Sequence, residues 1–204
     1  MIKINALATL IALCTLTAGA FAQAIDRAPA FRKDDLVAPP TDGWPTNGGN
    51  WANQRYSPLK SIDRDNVKNL KGVWRTHLKG SGVGPQYSGE AQPLVYRGVI
   101  YVVTGADDVF AVGVDSGEIL WEYRANLDPK NTAVCCGWTS RGLGVGDGKV
   151  YVGQLDGKLV ALDQQTGAIV WATQAERWQE GRADRRRRRC SRPTGWCCWG
   201  SHSP

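Results

Sequence analysis

Two cysteines stand side by side at Cys135 and Cys136, an arginine follows at Arg141, and a glutamate lies upstream at Glu90 in the run Gly-Glu-Ala-Gln-Pro. Adjacent thiols support few chemistries: a pair of buried free thiols, half of a metal site, a bond to another chain, or a disulfide closed between neighbours. The last would drive the enclosed peptide away from its usual planar trans geometry and would gain almost no loop entropy. Its use would be as a rigid, flat-faced platform for a ligand rather than as a staple. The residues alone leave these alternatives open. A guanidinium can grip a carboxylate bidentately, so Arg141 suits an anionic ligand, although Arg141 and Glu90 are equally ordinary as turn or surface charges. His77 and His202 have no Ser, Cys or metal-ligand partner at a useful spacing. Asn47-Gly48-Gly49-Asn50 reads as a turn rather than a phosphate loop, since no strand-to-helix pattern surrounds it.

The elements that position these residues come from a repeat. Residues 98–121, GVIYVVTGADDVFAVGVDSGEILW, align without a gap on residues 148–171, GKVYVGQLDGKLVALDQQTGAIVW, at an offset of 50. Gly98, Tyr101, Ala111, Gly117 and Trp121 recur as Gly148, Tyr151, Ala161, Gly167 and Trp171, and a weaker end-copy closes at Trp74. Within one unit, the β-branched and aromatic run Val99 to Val103 predicts a buried strand. Val109 to Val112, or Leu159 to Leu162, predicts the next, after turn chemistry at Asp107-Asp108 or Asp156-Gly157. A second turn ends in Gly117 or Gly167, and Ile119-Leu120-Trp121 opens an outer strand. Ala91 to Tyr96 supplies an innermost strand. Four short antiparallel strands at this period describe a blade, so the expected fold class is all-β, a β-propeller of four-stranded antiparallel blades. The recurring Trp is expected to pack between blades as a flat anchor. The N-terminal stretch around Trp51 and Tyr56 is expected to pack against the propeller.

Composition is that of a globular chain: 204 residues, 42% hydrophobic, 22% charged, 24 Gly and nine Trp. The net charge of +6 sits wholly in residues 182–204, which hold seven Arg and one Asp; residues 1–181 are neutral. Nucleic-acid binding therefore has no support in the body of the chain. Residues 1–22 read as a secretory signal peptide, with Lys3 before an apolar stretch and Ala20-Phe21-Ala22 as a cleavage site, and that stretch is too short and broken for a stable membrane span. Export to the periplasm, an oxidising compartment, follows as an expectation. Residues 182–204, with five consecutive Arg and three Cys, break every pattern before them and read as an out-of-frame or artificial tail. Residues 23–181 are expected to hold the N-terminal part of the propeller, with room for about three blades.

WPTNGGNWANQRYSPLKSID, SGEAQPLV and AVCCGWTSRGLGVGDGKVYVGQLDGKLVALDQQTGAIVW together resemble the pyrroloquinoline-quinone-dependent alcohol dehydrogenases, from about Trp44 to Trp171. The resemblance implies an eight-bladed propeller with the quinone on its axis. It implies that Cys135 and Cys136 form a ring disulfide packed on one face of that cofactor. It also implies that Glu90 and Arg141 contact the cofactor's carboxylate edge. An ionised Glu90 there would repel a carboxylate, so a shared proton or a nearby cation is needed. The resemblance further implies oxidation of an alcohol in the periplasm, with a calcium ion as Lewis acid, a carboxylate base, and electrons leaving to a cytochrome c or similar acceptor. The family's metal ligands and base lie downstream of the matched region, so no catalytic residue is assigned in this chain and the polypeptide is expected to be inactive. Gly137-Trp138-Thr139-Ser140 departs from the family, many of whose members carry Asp and Asn there. No C-x-x-C-H is present to attach a c-type haem. The competing expectation is an exported propeller scaffold or assembly module without redox chemistry.

Overall fold

The computed structural model describes residues 24–78, 87–88 (backbone only), 90–131 and 137–178. The expected signal peptide, the tail, Cys135, Cys136 and His202 lie outside these residues.

After a short helix α1 (Lys33–Val37), the chain forms strands β1 (Tyr87–Ser88), β2 (Leu94–Tyr96), β3 (Val99–Val103), β4 (Val109–Gly113) and β5 (Ile119–Tyr123). Then come β6 (Trp138–Thr139), β7 (Gly144–Gly146), β8 (Lys149–Gly153), β9 (Lys158–Asp163) and β10 (Ile169–Gln174). β2-β3-β4-β5 and β7-β8-β9-β10 are two antiparallel meanders of four strands each, the blades predicted from the repeat. The innermost strand begins at Leu94 rather than Ala91. Pro93 precedes it, and proline has no N–H to give to a ladder. β1 and β6 pair in parallel outside the blades.

Alternation decides what each strand buries. Val99, Tyr101 and Val103 of β3 point into the core, as do Val150 and Val152 of β8, while β4 is buried along its whole length. Ile25 and Ala28, which carry no strand signal, join the same core. They belong to an N-terminal strap that lies along the second blade: Gly148 and Asp147 donate their N–H groups to the Ala28 and Pro29 carbonyls, and Arg27 pairs with Asp163 at 2.7 Å. Trp44 adds a bridge to Val95 beside β2. Trp51 and Tyr56, by contrast, are exposed, so the expected packing of that stretch on the propeller is carried by Trp44 and Phe31 instead. Phe31 meets Tyr96 edge-on at 5.9 Å.

The blades are joined by the repeated tryptophan. The register of both outer strands shifts just before it, between Ile119 and Trp121 and between Ile169 and Trp171, and each Trp then stands opposite a small residue, Ala111 or Ala161. Such a bulge re-aims the side chain that follows it. Trp121 lies over Gly167 and donates its indole N–H to the Gln164 carbonyl at 2.9 Å. Trp74 does the same to the first blade, over Gly117, with its N–H on the Val114 carbonyl at 2.7 Å, although residues 71–78 form no strand. The described residues thus hold two complete blades and the docking Trp of a third. Trp171 has no following blade among them and is 39% exposed, against 8% for Trp121, and all of β10 is exposed.

Gly167 has φ +71, and a Cβ there would stand 2.5 Å from the Trp121 ring. Substituting Gly167→Ala therefore combines left-handed strain with a blocked indole seat, and should lower the stability of this chain by roughly 2–3 kcal/mol. Gly144→Ala, where nothing lies within 4 Å of an added Cβ, serves as the control and should cost less than about 0.5 kcal/mol. Equal urea midpoints for the two variants would show that the Trp–Gly seat does not hold the blades.

Candidate functional site

β1 and β6 bring the two halves of the candidate site together. Their parallel register sets Tyr87 opposite Trp138 and Ser88 opposite Thr139, both pairs 51 residues apart. Glu90 and Arg141 have the same spacing and follow directly on. They meet, with Arg141 Nε 3.5 Å from Glu90 Oε2. Each lies where the chain is about to enter the innermost strand of its blade, β2 or β7. That is the end of the blades that also carries the β3–β4 and β8–β9 turns.

The pair is open to solvent, with side chains 51% and 78% exposed. An exposed ion pair contributes about 0–1 kcal/mol, so a ligand carboxylate can enter Arg141's fork at little cost while Glu90 stays close. The guanidinium beside Glu90 is also the nearby cation that a carboxylate needs if it is to share an anionic ligand. The donor set therefore fits the acidic edge of a polycarboxylate ligand. It does not make a metal centre: among the described residues, no group of three or more His, Cys, Asp or Glu converges as one. A polar cleft of about 410 Å³ between Asp156 and Arg177 includes neither Glu90 nor Arg141 in its walls and is a separate feature.

Behind the pair lies a buried network that the spacing of the motifs does not announce. Trp138 is buried and donates its indole N–H to the Asn131 carbonyl at 2.8 Å. Asn131 donates its side-chain amide to the Leu155 carbonyl at 2.8 Å. The Leu155 N–H in turn donates to Asp107 Oδ2 at 2.6 Å. Asp107 is 1% exposed. Burial pushes its carboxyl up to about 7, assisted by the negative Asp156 and Asp108, with the Leu155 N–H and the Ser140 side chain pulling the other way. In the sequence Asp107 reads only as turn chemistry. The signal that could have singled it out is the repeat itself, which puts a glycine, Gly157, at the equivalent place.

Two docked four-stranded blades, with a carboxylate–guanidinium pair at their entry edge, define a propeller protein. Residues 44–173 match the family model described as "Glucose/ethanol/alcohol dehydrogenase, beta-propeller domain". The chain is 45% identical over 130 residues to the "1-butanol dehydrogenase (cytochrome c)" of Thauera butanivorans, covering 63% of this chain and 18% of the relative. It is 38% identical over 169 residues to the "Quinohemoprotein alcohol dehydrogenase ADH IIB" of Pseudomonas putida, covering 81% and 23%. The crystal structure of the quinohemoprotein alcohol dehydrogenase from Comamonas testosteroni superposes with a TM-score of 0.63 at 34% identity, over 71% of this chain and 21% of that one. The chain belongs to the pyrroloquinoline-quinone-dependent alcohol dehydrogenase family. It spans about a fifth of the length of these relatives.

The shift of Asp107 makes the fold pH-dependent. An acid whose carboxyl is raised in the folded state favours folding below its unfolded value of 3.8 and loses that contribution as pH rises through about 7. Stability relative to Asp107→Asn should therefore fall between about pH 4 and pH 7, by roughly 4 kcal/mol for the whole shift. Urea titrations of both proteins across that window measure it, and parallel curves would mean that Asp107 is not buried as an acid.

Proposed function

We propose that this chain forms one wall of the pyrroloquinoline quinone site of an exported, periplasmic alcohol dehydrogenase. The observation that carries the reading is the meeting of Glu90 with Arg141 at 3.5 Å, from two segments brought side by side by β1 and β6. In this reading Arg141 binds a carboxylate of the quinone through its planar fork, and Glu90 accepts or shares a proton at the same edge. Cys135 and Cys136, immediately before Gly137, form in this reading a disulfide between neighbours whose flat face carries the ring of the cofactor. When bound, the quinone supplies the two-electron acceptor that alcohol oxidation requires. The chain's own residues bind it and orient it.

The whole enzyme acts on an alcohol and passes electrons to a cytochrome c or a similar acceptor, as the printed name of the Thauera butanivorans relative says of that protein. Calcium would complete such a site, and we place none of its ligands among the described residues. The base that the family resemblance implies is likewise not assigned to a described residue. No helix of the described residues is long and apolar enough to cross a membrane.

Pyrroloquinoline quinone titrated into this chain, followed by quenching of its tryptophan fluorescence, tests the pocket. Arg141→Ala should weaken binding by at least tenfold, the effect expected for losing a charge-assisted contact of about 1.5–3 kcal/mol. Glu90→Gln should weaken it less. Peptide mapping without reductant should find the peptide holding Cys135 and Cys136 closed to alkylation and about two mass units light. A wild-type chain that binds no more quinone than Arg141→Ala, with both thiols alkylated, would leave an exported propeller scaffold as the reading.

A further inference from the structure

Asp107 occupies a place where a plain turn residue would cost less. It stands at φ 60 in the β3–β4 turn, and the equivalent residue of the second blade is Gly157, at φ 83. A carboxylate in that conformation carries left-handed strain, and its burial adds a desolvation cost. The turn needs neither. Three buried polar atoms also gather in the two segments it joins: Asp107 Oδ1, Thr104 Oγ1 and Thr139 Oγ1 have no hydrogen-bond partner among the described residues. Buried groups left without partners are costly, so these positions call for an explanation other than stability.

The connectivity says what Asp107 holds. Its carboxyl takes the Leu155 N–H from the second blade, and the Ser140 side chain lies against it. The Leu155 carbonyl takes the Asn131 amide, and the Asn131 carbonyl takes the Trp138 indole, two residues before Ser140. The path closes on itself: Asp107, Leu155, Asn131, Trp138, then along the chain to Ser140 and back. Arg141 is the next residue out of that ring. Its side chain is 78% exposed.

We propose that Asp107 is a positioning residue for the quinone edge: by gripping Leu155 and Ser140 together it fixes the segment leaving β6, and so aims Arg141 toward Glu90. This rests on the quinone-pocket reading for its functional meaning, while the anchoring itself is a property of the fold. The grip responds to protonation. The charges facing it are Asp156, paired with Lys158 at 2.5 Å, and Asp108, paired with Arg124 at 2.9 Å. Burial, with those two negative neighbours, pushes the Asp107 carboxyl up to about 7.

Hydrogen exchange on the full chain decides it. Asp107→Ala should speed exchange of residues 137–143 at least tenfold while β3 and β8 change less than threefold, a local opening rather than a global one. Asp107→Asn, which keeps an acceptor for the Leu155 N–H, should restore protection. In the wild type, protection of 137–143, corrected for intrinsic rates, should fall between about pH 4 and pH 7 and level off above that, and the Asn variant should show no such fall. Unchanged exchange in 137–143, or equal acceleration in β3 and β8, overturns the proposal. Failure of the pocket reading would show in the quinone titration of Arg141→Ala and leave this exchange pattern intact.

Discussion

An indole seated on a glycine holds the two blades in one body. Each blade buries one face of its own meander poorly, because four short strands enclose too little core. Trp121 solves this by crossing to the next blade, where Gly167 gives it a flat seat and Gln164 a carbonyl. Gln164 is fully buried and reaches further: its side chain donates to the Tyr101 hydroxyl at 2.9 Å and accepts the Ala28 N–H at 2.7 Å. One residue therefore ties the first blade, the second blade and the N-terminal strap. Burial at that junction pushes the Tyr101 hydroxyl up to about 12, so its role there is a neutral one. The same seat recurs at Trp74 over Gly117, which shows that it is a device of the repeat rather than an accident of one contact.

That device explains why the fold was legible. Tyr, Ala, Gly and Trp recur at fixed places because each has one job at the seat: Tyr101 and Tyr151 lie 6.1 Å from Trp121 and Trp171, Ala leaves room for the indole, and Gly admits it. A reader of the sequence meets those jobs as identities at one period. The strap was not legible, since Ile25 and Ala28 are buried by a segment with no periodicity. The exposed Trp51 and Tyr56 show the converse, that aromatic content alone does not predict burial.

The site divides in the same way. Glu90 and Arg141 were legible as charged residues beside motifs, and what brings them together is a two-residue parallel pairing too short to leave a hydrophobic pattern. Asp107 was not legible as more than a turn former, because burial of a short polar side chain depends on a neighbouring blade and not on its own sequence neighbours. Aspartate tolerates a positive φ, and this made the turn explanation sufficient at the sequence level.

The two fastenings between the blades differ in kind, and topology puts them at opposite ends. The β9–β10 turn carries Gln164 and Gly167, and the β8–β9 turn carries Leu155; successive turns of a meander lie at opposite ends of its strands. At one end the contact is an indole on a glycine, with hydrogen bonds among neutral groups. At the other it is a carboxyl in a polar ring, on the side of the Glu90–Arg141 pair. The first is insensitive to protonation across the range where a folded protein operates, while the second changes charge within it. A change of charge on Asp107 therefore acts on one fastening, while the Trp121 seat at the far end still joins the blades. A change that weakened the Trp121 seat would remove that separation, because the Asp107 end would then carry more of the contact between the blades.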